Sequence, residues 1–412
     1  MTDVKIESHP KPAVTAWEGR LPLLGAILLG IFLARAVAIG SSSLELGFDE
    51  AQYWAWSQHL DFGYFNKPPL IAWLIRSATV FCGDGQACVR LPANVLQSAS
   101  AFLVYALGAR LYDGRVGFWS AIAYALMPGV AVSSFLITTD VPLLFFWTIA
   151  LLAFAAHLER PRVATGVLMG VALGLGLNAK YAMVYFPLCA ALYVALTPSV
   201  RRIARKTTTW LGLGLGIALI LPNIVWNFLN GNVTFHHTSD NIGAVHGFAL
   251  HPAHALDFIG SQFGIGGPLL FGGFLVVAFS HMRSGKPAAD RMLLFFSMPI
   301  FILLTLEGLR AHANGNWAAT AFPAAVVLVT AVVISRRQWR TLGATLAINA
   351  AAALVIAVGA AIATPQGVPH ILKPVRQLFG WRDMADQIDR LAAPTGLHMI
   401  VADDRITAAE LT

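Results

Sequence analysis

Residues Leu21 to Gly40 read LPLLGAILLGIFLARAVAIG: twenty positions with a single charge, Arg35, and as a helix long enough to cross the hydrocarbon of a bilayer. No small-residue cleavage site follows the run, and ten more apolar runs come after it, so it reads as an anchor rather than a removable leader. Those runs lie at about 91–110, 116–137, 142–158, 163–179, 181–198, 209–229, 259–280, 291–309, 317–335 and 341–363, which gives eleven predicted spans. The composition agrees: of 412 residues 57% are hydrophobic and only 12% charged, too few charges to clothe a soluble fold of this size. The fold class is an all-α polytopic membrane protein.

Lys and Arg in the connections set the orientation. Arg110, Arg115, Arg160, Arg162, the run from Arg201 to Lys206, Arg283, Lys286, Arg291 and the run from Arg336 to Arg340 all fall on the side of the N-terminus. That side carries 17 Lys and Arg against 6 Asp and Glu, the other 11 against 15, and the balances of +11 and −4 give the +7 of the whole chain. The basic character is thus the positive-inside asymmetry of a membrane protein and not a footprint for nucleic acid. It predicts a cytoplasmic segment 1–20, a membrane domain 21–363 with outer loops at 41–90 and 230–258, and a periplasmic tail 364–412. Within 41–90, residues 50–60 and the apolar stretch after Pro69 are too short to span and read as juxtamembrane helices. The tail is predicted to hold a helix near 381–392 and a strand-like run near 397–402. Cys82 and Cys88 fall on the outer side, where a disulfide persists, and both the bridged and the free state stay open.

Polar chemistry collects at one rim. The stretch FDEAQYWAWSQHLDFGYFNKPP, Phe48 to Pro69, holds Asp49, Glu50, Tyr53, Tyr64 and Lys67. A carboxylate beside a bilayer is costly unless it faces water or a partner, so Asp49 and Glu50 are candidate catalytic acids; the plainer alternative is that they begin a helix. Asp140, in ITTDVPLLFFW, is either a third such acid or the cap of the span it opens. Lys67, Lys180 and Arg310 lie on the side where cations are disfavoured, placed to grip a lipid phosphate or to snorkel toward headgroups. His236, His237, Asn316 and Trp317 complete the candidate substrate-binding set. A divalent metal is conceivable among the five histidines of 230–258, but their spacing matches no familiar ligand pattern, so no metal ligands and no cofactor are assigned. With no phosphate-cradling glycine loop, and no ATP or nucleotide sugar on the outer side, an activated substrate has to arrive through the membrane. A lipid-linked phosphosugar fits: cations steady the leaving phosphate while a carboxylate takes the acceptor's proton.

These segments, with NAKYAMVYF, LPNIVWNFLNGNVTF and NWAATAFP, resemble the GT-C membrane glycosyltransferases over roughly residues 20–335. Within them the chain is similar to the bacterial branch of the lipid A aminoarabinose transferase, the rhizobial lipopolysaccharide galacturonosyltransferases and relatives of the protein O-mannosyltransferases. The resemblance implies a GT-C-like bundle that moves a sugar from a polyprenyl-phosphate donor to lipid A, lipopolysaccharide or another envelope glycan, with inversion. It implies Asp49 as general base with Glu50 completing the pair, Asp140 as the second acid, and Lys67 and Lys180 near the donor phosphate. Family members carry a larger C-terminal periplasmic part, which leaves the acceptor more open than the chemistry. Protein O-glycosylation is the nearest alternative. A transporter or flippase of a lipid-linked substrate would instead show broken spans near the midplane, to which the glycine-rich MGVALGLGLNAK and WLGLGLGIALI lend themselves. A non-catalytic scaffold would tolerate loss of both acids.

Overall fold

The computed structural model describes residues 19–241, 250–281, 287–365, 367–368, 373–395, 407 and 409, and among these all regular structure is helical. The elements run α1 Leu21–Ser41, α2 Phe48–Gln58, α3 Leu70–Cys82, α4 Gln86–Leu111, α5 Gly114–Ala125, α6 Pro128–Phe135, α7 Asp140–Glu159, α8 Val163–Ala179, α9 Tyr185–Leu196 and α10 Thr207–Leu229. They continue as α11 Val233–Asn241, α12 Pro252–Gly266, α13 Pro268–His281, α14 Ala288–Phe295, α15 Met298–Arg310, α16 Phe322–Ser335, α17 Trp339–Ile362, α18 Lys373–Arg376 and α19 Trp381–Ala392. The predicted tail helix is α19; His246, Arg283, Lys286 and the strand-like run near 397–402 lie outside the described residues.

Among the described residues, seven helical stretches are long and apolar enough to cross a membrane, and nine if each of two bent pairs is one span. The count of eleven is therefore not reproduced: 163–179 and 181–198 correspond to helices of 17 residues or fewer. Two spans read as continuous are bent. α5 and α6 meet at 57° around Met127, because Pro128 opens the second helix without an N–H to continue the ladder. α12 and α13 meet at 116°, where Gly267 takes φ +88 just before Pro268. A Cβ at Gly267 would run into Asn349 of α17, which also donates from Nδ2 to the Gly266 carbonyl (3.2 Å). Asn349 thus satisfies a carbonyl that the break leaves open.

Near the end of α5, Arg35 of α1 is buried and donates to the Ala125 carbonyl. It serves the carbonyl end of a helix that a bend has cut short, where a cation also suits the helix dipole.

The centre of the bundle is α16, almost wholly buried, surrounded by α4, α5, α13, α14 and α17. α1, α10 and α17 sit outermost and turn Leu29, Leu33, Ile217, Leu354 and Val355 outward, the apolar face a lipid-bathed helix needs. The glycine-rich stretches form a seam. A Cβ at Gly170 of α8 would strike the Gly212 carbonyl of α10, and one at Gly212 would strike Gly166, so the backbones touch as only small residues permit. Cys82 and Cys88 are joined in a disulfide that ties α3 to the start of α4, and Cys189 is free and buried.

Candidate active site

α2 carries the acid pair, and its two members have different surroundings. Glu50 is 3% exposed and fully engaged. Its Oε2 accepts from Arg90 Nη2 (2.7 Å) and from the Gly47 N–H (3.0 Å), and its Oε1 accepts from Arg90 Nε (3.0 Å) and the Ile137 N–H (2.9 Å). Arg90, at the start of α4, also donates to the Leu44 and Glu45 carbonyls (3.0 and 2.7 Å). The pair bolts α2, α4 and the loop before α7 into one corner. Arg90 was not among the residues singled out above, although an arginine opening an apolar run on the disfavoured side was the signal. Asp49, one residue earlier, is half-buried in the first turn of α2, with Oδ1 sealed from solvent.

The loop after α2 reaches Lys67. Tyr64 stacks on Trp56 (4.6 Å between centroids, 4° between planes), donates to backbone carbonyls of Trp56 and His59, and accepts from the Asp61 N–H. Burial pushes its hydroxyl above the ordinary tyrosine range, and the Asp61 N–H pulls it part of the way back. Tyr64 is thus a pin within its own turn. Tyr53 is 2% exposed in a cluster with Ile71, Ile75, Val89 and Val141, which makes its ring a packing group. Asn66, beside Lys67, donates to Gln52 Oε1 (3.2 Å). Gln52 lies three residues after Asp49, so both sit on one face of α2, and Asn66, the residue before Lys67, is tied to that face.

Asp140 opens α7, and both of its oxygens go to side chains. Oδ1 accepts from Lys180 Nζ at 2.6 Å, and Oδ2 from Asn316 Nδ2 at 2.7 Å. Three residues picked from separate parts of the sequence thereby meet in one cluster. Next to it, Tyr181 donates to Asn223 Oδ1 (2.7 Å), and Asn223 Nδ2 donates to the Phe62 carbonyl (2.7 Å), back on the Lys67 loop. A closed circuit results: α2 to Ile137 through Glu50, along the chain to Asp140, across to Lys180 and Tyr181, through Asn223 to Phe62, and through Asn66 back to α2. Asp140 and Lys180 are members of it, and Asp49 and Lys67 each adjoin a member in the sequence, Glu50 and Asn66.

The other candidates lie off the circuit. Arg310 pairs with Glu307 on its own helix (2.8 Å). Trp317 is half-buried against the core beside Asn316. His236 is exposed, and His237 packs edge-on to Phe65 at 5.6 Å. Among the described residues no group of three His, Cys, Asp or Glu is arranged to hold a metal ion.

The chain is similar to several known proteins. The family model described as dolichyl-phosphate-mannose-protein mannosyltransferase matches residues 66–226. The lipid A galacturonosyltransferase RgtD of Rhizobium johnstonii is 33% identical over 387 residues, covering 93% of this chain and 81% of RgtD. The chain belongs to the GT-C membrane glycosyltransferases. An undecaprenyl phosphate-α-4-amino-4-deoxy-L-arabinose arabinosyl transferase of Pseudomonas savastanoi is 28% identical over 226 residues, which is 48% of this GT-C chain and 40% of the relative. In fold, this GT-C enzyme is similar to the crystal structure of ArnT from Cupriavidus metallidurans bound to undecaprenyl phosphate, with a TM-score of 0.62 at 17% identity, over 95% of this chain and 74% of that one.

Proposed function

We propose that this glycosyltransferase takes a sugar from a polyprenyl-phosphate donor in the inner membrane and gives it to lipid A or a neighbouring part of lipopolysaccharide at the periplasmic face. The observation that carries the reading is the hydrogen-bonded circuit that gathers an acid helix, two lysines and Asp140 at one end of the bundle. Lys67 and Lys180 steady the donor phosphate, and Asp140 with Asn316 holds Lys180 in place. Asp49 takes the proton of the acceptor hydroxyl as its oxygen attacks the anomeric carbon; the bond from that carbon to the phosphate oxygen breaks on the far side, and the polyprenyl phosphate leaves with the electron pair. Attack opposite the leaving group inverts the anomeric centre. Glu50 acts through Arg90 as a strut.

The donor class is supported by the polyprenyl phosphate named for the arabinosyl transferase and bound in the ArnT structure. Lipid A as acceptor, and a uronic acid as the sugar, are supported by the likeness to RgtD over most of both chains. The bias of Lys and Arg toward one set of loops, and a disulfide on the opposite side, support a cytoplasmic N-terminus. Deleting the gene and profiling lipid A, core oligosaccharide and glycoproteins by mass spectrometry tests the whole reading. Loss of one sugar from lipid A is the expected result. An unchanged lipid A and core with an under-glycosylated protein would transfer the chain to protein O-glycosylation.

A further inference from the structure

The outer end of α10 carries two side chains that touch the Lys67 loop, Asn223 and Trp226, and a third, Asn227, that reaches it through Thr234. Asn223 is fully buried between the Tyr181 hydroxyl and the Phe62 carbonyl, each at 2.7 Å. One turn on, Trp226 Nε1 donates to Asp61 Oδ2 (2.7 Å), while a Cβ at Gly63 would collide with the Trp226 ring. Beyond it, Asn227 holds the Tyr181 hydroxyl (3.2 Å) and the Thr234 N–H (3.2 Å), and Thr234 Oγ1 donates to the Tyr64 carbonyl (2.6 Å). The loop therefore receives a bond or a close contact at residues 61, 62 and 63 from the end of α10, and one at residue 64 from Thr234 of α11, which Asn227 holds. Tyr181 directly follows Lys180, so the same asparagine also fixes the residue beside the second lysine.

We propose that Asn223 is a positioning residue that sets the separation of Lys67 from Lys180, and so the width of the seat for the donor's phosphate. The asparagine amide suits the task because it donates and accepts at once, joining a hydroxyl on one segment to a carbonyl on another. It stands behind the lysines and acts through them; the inference rests on the donor-phosphate reading above. Gly63 belongs to the same device: with no side chain it lets the loop lie flat on the indole of Trp226.

The test titrates the full-length protein in detergent micelles with undecaprenyl phosphate. Asn223→Leu, close in volume, is expected to weaken binding about tenfold, the order expected when a paired amide is lost. Tyr181→Phe, which removes the hydroxyl held by Asn223 and Asn227 but leaves the Asn223 bond to the Phe62 carbonyl, is expected to weaken it about threefold and serves where Asn223→Leu does not fold. The deciding arm is the pair with Lys67→Ala. A residue that acts only by placing Lys67 adds less than about twofold once Lys67 is gone, whereas independent effects multiply. Full multiplication, or undiminished binding by both single variants, overturns the proposal. If the wild-type protein does not bind undecaprenyl phosphate, or Lys67→Ala leaves binding unchanged, the donor-phosphate reading fails first and this inference falls with it.

Discussion

Arg90 offers the sharpest way to separate a strut from a catalyst. In Arg90→Gln the Glu50 carboxylate stays buried, with the Gly47 and Ile137 N–H groups but no counter-charge. Breaking a buried pair from one side costs about 3–5 kcal/mol, enough to unfold a marginal corner. The double variant Glu50→Gln/Arg90→Gln removes the charge from both sides. It should recover most of that loss and leave about 1–3 kcal/mol for the Leu44 and Glu45 carbonyls that the guanidinium had served. The assay is paired: the temperature at which half the protein stays monodisperse in detergent, and sugar transfer measured on the surviving fraction. A strut predicts that stability and transfer fall together in the single variant and return together in the double one. A double variant as stable as wild type yet without transfer would refute the argument and make Glu50 a group that acts on substrate.

Other substitutions probe the remaining parts. Asp49→Asn should lower transfer to a hydroxyl acceptor by about 10²–10⁴-fold at unchanged thermal stability, and full activity would remove it as base. Lys180→Met should lower stability, because it strands the Asp140 carboxylate, and Lys180→Met/Asp140→Asn should restore stability without restoring donor binding, read by calorimetry and by titration with undecaprenyl phosphate. Gly170→Leu should block membrane assembly, since α8 cannot then approach α10; a folded, active variant would show that the seam is dispensable. In intact spheroplasts, a membrane-impermeant maleimide should label Cys82 and Cys88 only after an external reductant, and labelling from the cytoplasmic side alone would reverse the assigned orientation.

Much of the fold was readable because burial in lipid leaves a plain signature, a run of apolar residues of the right length. What that reading missed was curvature: a window of twenty apolar residues does not distinguish one straight helix from two joined at Gly267 and Pro268, although both residues announce a break. At the site, Asp140, Lys180 and Asn316 were each conspicuous as polar groups at an oily rim, and the fold joins them. Glu50 was equally conspicuous, yet its partner Arg90 lies 40 residues away, and no local pattern carries that distance. Asn223 lay inside the quoted stretch LPNIVWNFLNGNVTF but was not singled out, because its importance exists only in the loop it holds.

The stretch before α2 has one further neighbour. Glu45 donates from its N–H to the Leu378 carbonyl (2.9 Å) and accepts from the Trp381 N–H (2.7 Å), while Ser42 and Ser43 bond the carbonyls of Ala360 and Ala363 (both 2.6 Å). A segment made early during translation is thus clasped by one made more than three hundred residues later. A nascent chain cannot complete this clasp on the approach to its acid helix until the ribosome has passed position 381, so that part of the fold closes late in biosynthesis.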